Sequence, residues 1–149
     1  MVVVQDNTGP NIWEPETEDW KIHSQITPPP NAILIRKKFG DAFRCTTLED
    51  ELRSRGVTDL VILGAMSEFS IRATPQRALL KCYRVILVSD THSTLDAFDG
   101  PAVEHIETLN SEVEGAHRSG LPVEGAAAEA VVRRFLESTS RDASGYSPS

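Results

Sequence analysis

The sequence predicts an α/β protein with three layers, in which helices cover both faces of a mainly parallel β-sheet. Residues 60–63 form a short aliphatic run that ends at Gly64, a pattern typical of a parallel strand buried on both faces. Apolar residues then recur at helical spacing, which predicts a crossover helix over residues 67–81. Residues 85–88 predict a second buried strand. Residues 56–96 are therefore expected to form a β-α-β unit, whose chemistry belongs at the turn from the first strand into the helix.

The chain before this unit predicts two strands separated by a long loop. Residues 2–4 are three valines, typical of a strand. Residues 11–30 are rich in proline and acidic residues and show no periodicity, which indicates a loop with Trp13 and Trp20 as packing anchors. Residues 32–35 predict the second strand.

A helix is predicted between this strand and the β-α-β unit. Thr46 is followed three residues later by Glu49, which is the pattern of a capping box. Leu48 and Leu52 form an apolar stripe, and Gly56 suits the end of the helix.

Two more helices are predicted after the unit, over residues 102–117 and 126–136. Residues 120–123 form the connection between them, with room for a short edge strand. The end of the chain is polar and carries glycine, proline and serine. We therefore assign residues 1–138 to one domain and residues 139–149 to a disordered tail.

Composition limits the classes of function. The chain has 149 residues, the size of one domain, and a formal net charge of −7, which disfavours nucleic acid and anionic membranes as partners. No apolar run approaches the roughly 20 residues that cross a bilayer. Cys45 and Cys82 have no metal-binding spacing and cannot form a disulfide framework, so a reduced, cytoplasmic setting is predicted.

Residues 64–78 carry the most specific motif, G-A-M-S-E-F-S-I-R-A-T-P-Q-R-A. It resembles the signature Gly-x-x-Thr-x-x-Cys-Val-x-x-Thr-Ala-x-x-Ala of the isochorismatase-like cysteine hydrolases. Five positions fit that signature or replace its residue conservatively: Gly64, Ser67, Ile71, Thr74 and Ala78. Ser70 stands where the family has its nucleophilic cysteine.

The resemblance also implies a catalytic lysine. In the family this lysine lies six residues before a phenylalanine, which places it at Lys37, ahead of Phe43. There it lowers the pKa of the cysteine thiol and stabilises the developing anion, as an ammonium held near that charge would do. The alternative interpretation of Lys37 is a solvated surface lysine.

The family further implies an oxyanion hole at the strand-to-helix turn. By position, the Ala65–Met66 peptide bond is expected to be cis, and the backbone N–H groups of Met66 and Ser70 are expected to point into the pocket. These donors belong to the backbone, so the change of side chain at Ser70 leaves them in place. A helix N-terminus also favours an anion at this point.

Two interpretations of Ser70 stay open. It is either a helix N-terminal residue that bonds the backbone, or the nucleophile of a serine–lysine hydrolase. No histidine forms a recognisable triad pattern with it. Cys82 stands where the family often has glycine, and we interpret it as a packing residue.

The family's first strand, which carries an acid/base aspartate, has no match in residues 1–10, and residues 2–4 resemble the family's second strand. In the family's Rossmann-like sheet, of strand order 3-2-1-4-5-6, the missing strand is central. Residues 2–4 must then pair directly with residues 60–63 or leave that edge to another subunit. A homo-oligomer or a marginally stable monomer is therefore predicted.

Two functions follow from the resemblance. The first is a hydrolase of small amides or vinyl ethers, with low activity because Ser70 replaces the cysteine and the aspartate is absent. The second is an inactive homologue that serves as an oligomerising or ligand-binding module. The metal-ligand pattern Asp-x-His-x-x-x-x-His of nicotinamidases is absent from the sequence, so neither a metal nor another cofactor is predicted.

Overall fold

The structure is a computed structural model that describes residues 1–7, 15–18, 20–96 and 100–144. Strands and helices alternate along these residues, which confirms the predicted α/β class. The elements are β1 (Val2–Asp6), β2 (Ile33–Lys37), α1 (Leu48–Ser54), β3 (Asp59–Ala65), α2 (Ser70–Leu80), β4 (Arg84–Ser93), α3 (Ala102–Arg118), β5 (Val123–Ala126) and α4 (Ala128–Ser144).

The strands form two parallel sheets. Strand β1 pairs with β2 in a register that runs from Val2 opposite Ile33 to Asp6 opposite Lys37. Strands β3, β4 and β5 form the other sheet in that order. The predicted direct pairing of residues 2–4 with residues 60–63 is therefore wrong, and in the described part of the chain no strand pairs with the outer edge of β3.

The turn between β3 and α2 shortens the predicted helix. The prediction placed its start at Ser67, but α2 begins at Ser70. Ser67 is fully buried, and its backbone N–H donates to the carbonyl of Ser93 at 3.1 Å, which ties the turn to the end of β4. Gly64 lies at φ +130°, a conformation that side chains rarely adopt, so the glycine permits this turn.

The capping box predicted from Thr46 and Glu49 is wrong. Helix α1 begins at Leu48 with Thr47 at the N-cap, and no side chain caps it. The Thr46 hydroxyl instead accepts the Leu48 N–H at 3.3 Å, and Glu49 pairs with Lys81 and Arg53. The Lys81 ammonium first, and then the Arg53 guanidinium, hold the pKa of the Glu49 carboxyl below its ordinary value.

Two further predictions concern the surface and the end of the chain. Cys82 is exposed and lies at φ +66°, so its interpretation as a packing residue is wrong; the positive φ is the physical reason for a glycine at such a position. Helix α4 continues to Ser144, so it includes residues 139–144 of the predicted tail. Residues 145–149 and Trp13 lie outside the described residues.

One apolar core joins the elements. Leu87 and Val85 of β4 lie at its centre with almost no exposed surface, and Ile35 of β2 belongs to the same cluster as Leu48 and Leu52 of α1. Burial of these side chains, at about 1.5–3 kcal/mol each, holds the two sheets in one body. Over the described ranges, no helix is long and apolar enough to cross a membrane.

Candidate active site

Lys37 lies at the centre of the polar cluster that the fold brings together. Its side chain is only 6% exposed. The ammonium donates a hydrogen bond to the Ser70 hydroxyl oxygen at 3.0 Å and forms an ion pair with the Asp6 carboxylate. The interpretation of Lys37 as a solvated surface lysine is therefore wrong, because a desolvated ammonium needs such partners.

Asp6 is the residue of this cluster that the sequence analysis missed. The sequence analysis looked for the carboxylate only on the family's first strand and found no match in residues 1–10. A signal was present, since Asp6 and Lys37 each end a short apolar strand. The parallel register of β1 and β2 places the two residues opposite one another, and the carboxyl ends of parallel strands meet at one edge of a sheet.

Trp20 fixes the backbone around Asp6. Its indole Nε1–H donates to the Asp6 carbonyl oxygen at 2.8 Å, and the Gln5 side-chain amide donates to the Trp20 carbonyl oxygen at 2.7 Å. The Arg36 guanidinium lies 5.1 Å from the centre of the Trp20 ring. Trp20 therefore anchors the long loop to the end of β1, and it also holds Asp6 in place through the main chain.

The turn after β3 lies on the other side of the cluster. The Ala65–Met66 peptide bond is cis. The Met66 carbonyl oxygen accepts the N–H groups of Phe69 at 3.1 Å and Ile71 at 3.2 Å. Within the described residues, the N–H groups of Met66 and Ser70 donate to no backbone acceptor outside the helices and strands, as is usual for groups at the start of a helix.

A cavity of about 520 Å³ connects these groups. Its polar lining includes Asp6, Lys37 and Ser70, and Met66 lies beside them. Much of the remaining wall is apolar or aromatic and comes from Val3, Val4, Trp20, Ile22, Ile26 and Phe69. A mainly apolar cavity of this size with a few convergent polar groups is typical of a small-molecule site.

The contacts define what each group can do chemically. The Lys37 ammonium donates to both neighbours, so in this state it has no lone pair with which to take a proton from Ser70. Its charge can instead stabilise an anion. The Asp6 carboxylate is 27% exposed and can accept a proton at the cavity wall.

No histidine contacts Ser70 in the hydrogen bonds of the described residues. His92 bonds to Ser67, and His117 contacts the Val123 carbonyl oxygen at 2.8 Å. The described residues also contain no group of three or more metal-ligating side chains. The triad chemistry of a serine–histidine hydrolase therefore has no basis at Ser70.

Comparison with known proteins identifies the family. The isochorismatase domain profile matches residues 2–117. The chain belongs to the isochorismatase family. The family resemblance predicted from the motif at residues 64–78 is thus confirmed.

The isochorismatase relatives are longer than this chain. A streptothricin hydrolase of Streptomyces noursei is 37% identical over 104 residues, which are 69% of this chain and 41% of the relative. The uncharacterised isochorismatase family protein YddQ of Bacillus subtilis is 34% identical over 94 residues, which are 61% of this chain and 52% of YddQ. The chain therefore spans about half the length, or less, of these relatives.

Solved structures show the same fold. The structure of an isochorismatase from Pseudomonas putida KT2440 superposes with a TM-score of 0.74 at 26% identity, covering 87% of this chain and 66% of that one. A putative isochorismatase hydrolase from Oleispira antarctica gives a TM-score of 0.75 at 24% identity, covering 89% and 70%. The two sheets described above thus correspond to the isochorismatase fold.

The Asp6–Lys37 pair is expected to stabilise the folded chain. Asp6→Ala leaves a nearly buried ammonium with the Ser70 hydroxyl as its remaining partner in the described residues, so we expect the free energy of unfolding to fall by about 3 kcal/mol, the lower end for a broken buried pair. Urea denaturation measures this. The double variant Asp6→Leu/Lys37→Met is the control, and it is expected to recover most of the loss. A loss below about 0.5 kcal/mol for Asp6→Ala would show that Lys37 is solvated.

Proposed function

We propose that the chain hydrolyses a small amide, with Asp6 as the proton-transfer group and with Lys37 and two backbone N–H groups as anion stabilisers. The single observation that carries the proposal is that the Lys37 ammonium bonds to both Asp6 and Ser70 at the wall of the cavity. The family supplies the hydrolase class, and the name of the streptothricin hydrolase is consistent with hydrolysis.

Asp6 is suited to act as a base towards water. Its carboxylate forms an ion pair with the Lys37 ammonium at the cavity wall, and a carboxylate in its ionised form accepts a proton. A water molecule in the cavity can give its proton to Asp6 as its oxygen attacks the amide carbon. The proton can then pass from Asp6 to the leaving nitrogen, which completes an acid–base cycle.

The amide class fits the remaining donors. Attack on an amide carbonyl builds negative charge on its oxygen, and the Met66 and Ser70 N–H groups and the Lys37 ammonium can meet that charge. Hydrolysis of a vinyl ether instead begins with protonation of carbon and builds positive charge, which a nearby ammonium disfavours. The geometry therefore supports the amide class over the vinyl ethers.

Ser70 serves in this scheme as a hydrogen-bond partner. Its oxygen accepts from Lys37, and no described base takes its proton. We therefore expect the chain to be a slow amidase compared with one that has a cysteine nucleophile.

An inactive, ligand-binding homologue is the second candidate. The observation in its favour is that the Lys37 ammonium bonds to both Asp6 and Ser70. The charges of Lys37 and Asp6 then compensate one another, and the Ser70 hydroxyl has no base to activate it. Calorimetric binding of a substrate amide without any turnover over days would support this candidate against hydrolysis.

The role of Asp6 can be tested with a panel of nicotinamide, N-carbamoyl amino acids, streptothricin and isochorismate. For any amide that is turned over, we expect Asp6→Asn to lower kcat by about 10²- to 10⁴-fold, the usual contribution of a proton-transfer group. Asp59→Asn is the matched control, because Asp59 forms an ion pair with Arg84 at the opposite end of β3. Equal rates for Asp6→Asn and Asp59→Asn would rule out the proposed role.

Restoring the thiol gives a second test. Ser70→Cys is expected to raise amidase turnover by about tenfold or more, because a thiol beside the Lys37 ammonium ionises far more readily than a hydroxyl. The measurement is best made in a Cys45→Ser/Cys82→Ser background, since both native cysteines are free and exposed. Iodoacetamide should then abolish the gained activity. No gain, with the new thiol shown to be alkylated, would contradict the proposed electrostatic role of Lys37.

We also propose that the chain self-associates along the outer edge of β3. Val61 is 48% exposed and Leu63 59% exposed on this strand, and exposed apolar edges favour pairing between chains. Light scattering after size exclusion is expected to show an oligomer, and Val61→Lys is expected to shift it to monomer. Thr58→Lys, just before the strand, is the control. A wild-type monomer at high concentration would refute self-association.

A further inference from the structure

A second polar network lies behind the active site and is not used by the chemistry above. His92 of β4 is 4% exposed and contacts two side chains. Its Nδ1 lies 2.8 Å from the Ser67 hydroxyl oxygen, and its Nε2 lies 3.0 Å from Asn110 Oδ1. The network thus connects the turn after β3 to helix α3 through β4.

The partners of Asn110 decide where the hydrogens lie. The Asn110 side-chain Nδ2 donates to the carbonyl oxygen of Ser89 at 3.0 Å. Its Oδ1 therefore faces His92 and can only accept, so His92 Nε2 carries a hydrogen. In the neutral imidazole Nδ1 is then an acceptor, and it receives the hydroxyl hydrogen of Ser67. A neutral His92 with hydrogen on Nε2 satisfies every polar atom of the network.

A serine, a histidine and an asparagine in this order resemble the parts of a nucleophilic triad. Ser67 is fully buried, however, and it does not line the cavity. A substrate held beside Lys37 cannot reach its hydroxyl. The network can therefore hold parts of the protein in position, but it cannot react with the substrate.

We propose that His92 and Asn110 are positioning residues for the active site and act through Ser67, an inference that rests on the proposed hydrolase function. Ser67 is tied to β4 twice, by its N–H to the Ser93 carbonyl at 3.1 Å and by its hydroxyl to His92. Met66 directly precedes it.

These two bonds fix the direction of the turn that carries the anion donors. The Met66 carbonyl also accepts the N–H groups of Phe69 and Ile71, so the orientation of the Met66 peptide unit is passed on to the first turn of α2. Ser70 lies between those two residues. Loss of the His92 bonds is expected to let the Met66 and Ser70 N–H groups turn away from the cavity.

The hydrogen positions in the wild-type chain give a test that needs no activity. Long-range ¹H–¹⁵N NMR spectra of the imidazole distinguish the two neutral tautomers. We expect His92 to carry its hydrogen on Nε2 at neutral pH. A hydrogen on Nδ1 would overturn the network as described.

A pair of variants distinguishes the loss of the His92 hydrogen bonds from the mere replacement of its side chain. In His92→Gln the amide oxygen can accept from Ser67 while its nitrogen donates to Asn110, whereas His92→Leu can do neither. We expect His92→Leu to lower kcat by about 10- to 100-fold with KM nearly unchanged, and to shift the backbone amide signals of Met66 and Ser70. His92→Gln is expected to restore most of both.

Thr91→Val is the matched control, because Thr91 is adjacent on β4 and, within the described residues, its hydroxyl bonds to the Val88 carbonyl and not to the network. Amide signals of Met66 and Ser70 that move no more in His92→Leu than in Thr91→Val would overturn the proposal. If no substrate is turned over, the hydrolase proposal fails, but the amide signals still decide the positioning role. If His92→Leu does not fold, His92→Gln and the wild-type tautomer decide it.

Discussion

The burial of the Lys37 ammonium is the constraint on which the site depends, and it adds to the core packing that joins the two sheets. No strand-to-strand hydrogen bonds connect β1–β2 to β3–β4–β5 in the described residues, so core packing and side-chain contacts must connect them. Lys37 belongs to the first sheet, and its bond to Ser70 reaches the helix that follows β3. A buried ammonium is tolerated only with paired, well-placed partners. The groups that stabilise this charge, Asp6 and Ser70, also line the cavity.

Neighbouring contacts reinforce this junction. Thr74 of α2 accepts the Ala42 N–H at 3.2 Å, and the Arg77 guanidinium pairs with Asp41 at 2.9 Å. Both bonds join α2 to the loop that follows β2, one to two turns beyond Ser70. The Lys37–Ser70 contact is thus the buried end of a longer row of contacts between α2 and the chain around the end of β2. This row of contacts keeps Lys37 close to Ser70.

Sequence patterns predicted those parts of the fold that depend on neighbours along the chain. The aliphatic run before Gly64 and the helical spacing after it gave β3, α2 and β4, since each pattern is local. The position of Asp6 beside Lys37 depends on the register of β1 and β2, which are far apart in the sequence. No pattern of neighbouring residues predicts that register. The capping box failed because Thr47, and not Thr46, is the N-cap, and the Glu49 carboxylate pairs with Lys81 and Arg53.

The positions of the candidate site residues were also predicted only in part, because only some of them follow from local sequence patterns. The motif located Lys37 and the turn at Met66 and Ser70, whose proximity follows from the carboxyl ends of strands lying at one edge. The buried bond between Ser67 and His92 joins residues 25 positions apart, and a lone histidine in a sequence gives no sign of such a partner. Side-chain networks that position a turn are therefore visible only once the fold has brought their members together.

The two halves of the site are held by different kinds of anchor. On one side the Trp20 indole donates to the main-chain carbonyl of Asp6 at the edge of the cavity. On the other side His92 and Asn110 fix Ser67 inside the core. A proton-transfer group must lie within hydrogen-bond reach of the proton that it takes, and anion donors act best when they are oriented before charge develops. In the proposed mechanism the more deeply buried anchor lies behind the donors, where a fixed orientation matters most for stabilising the developing charge.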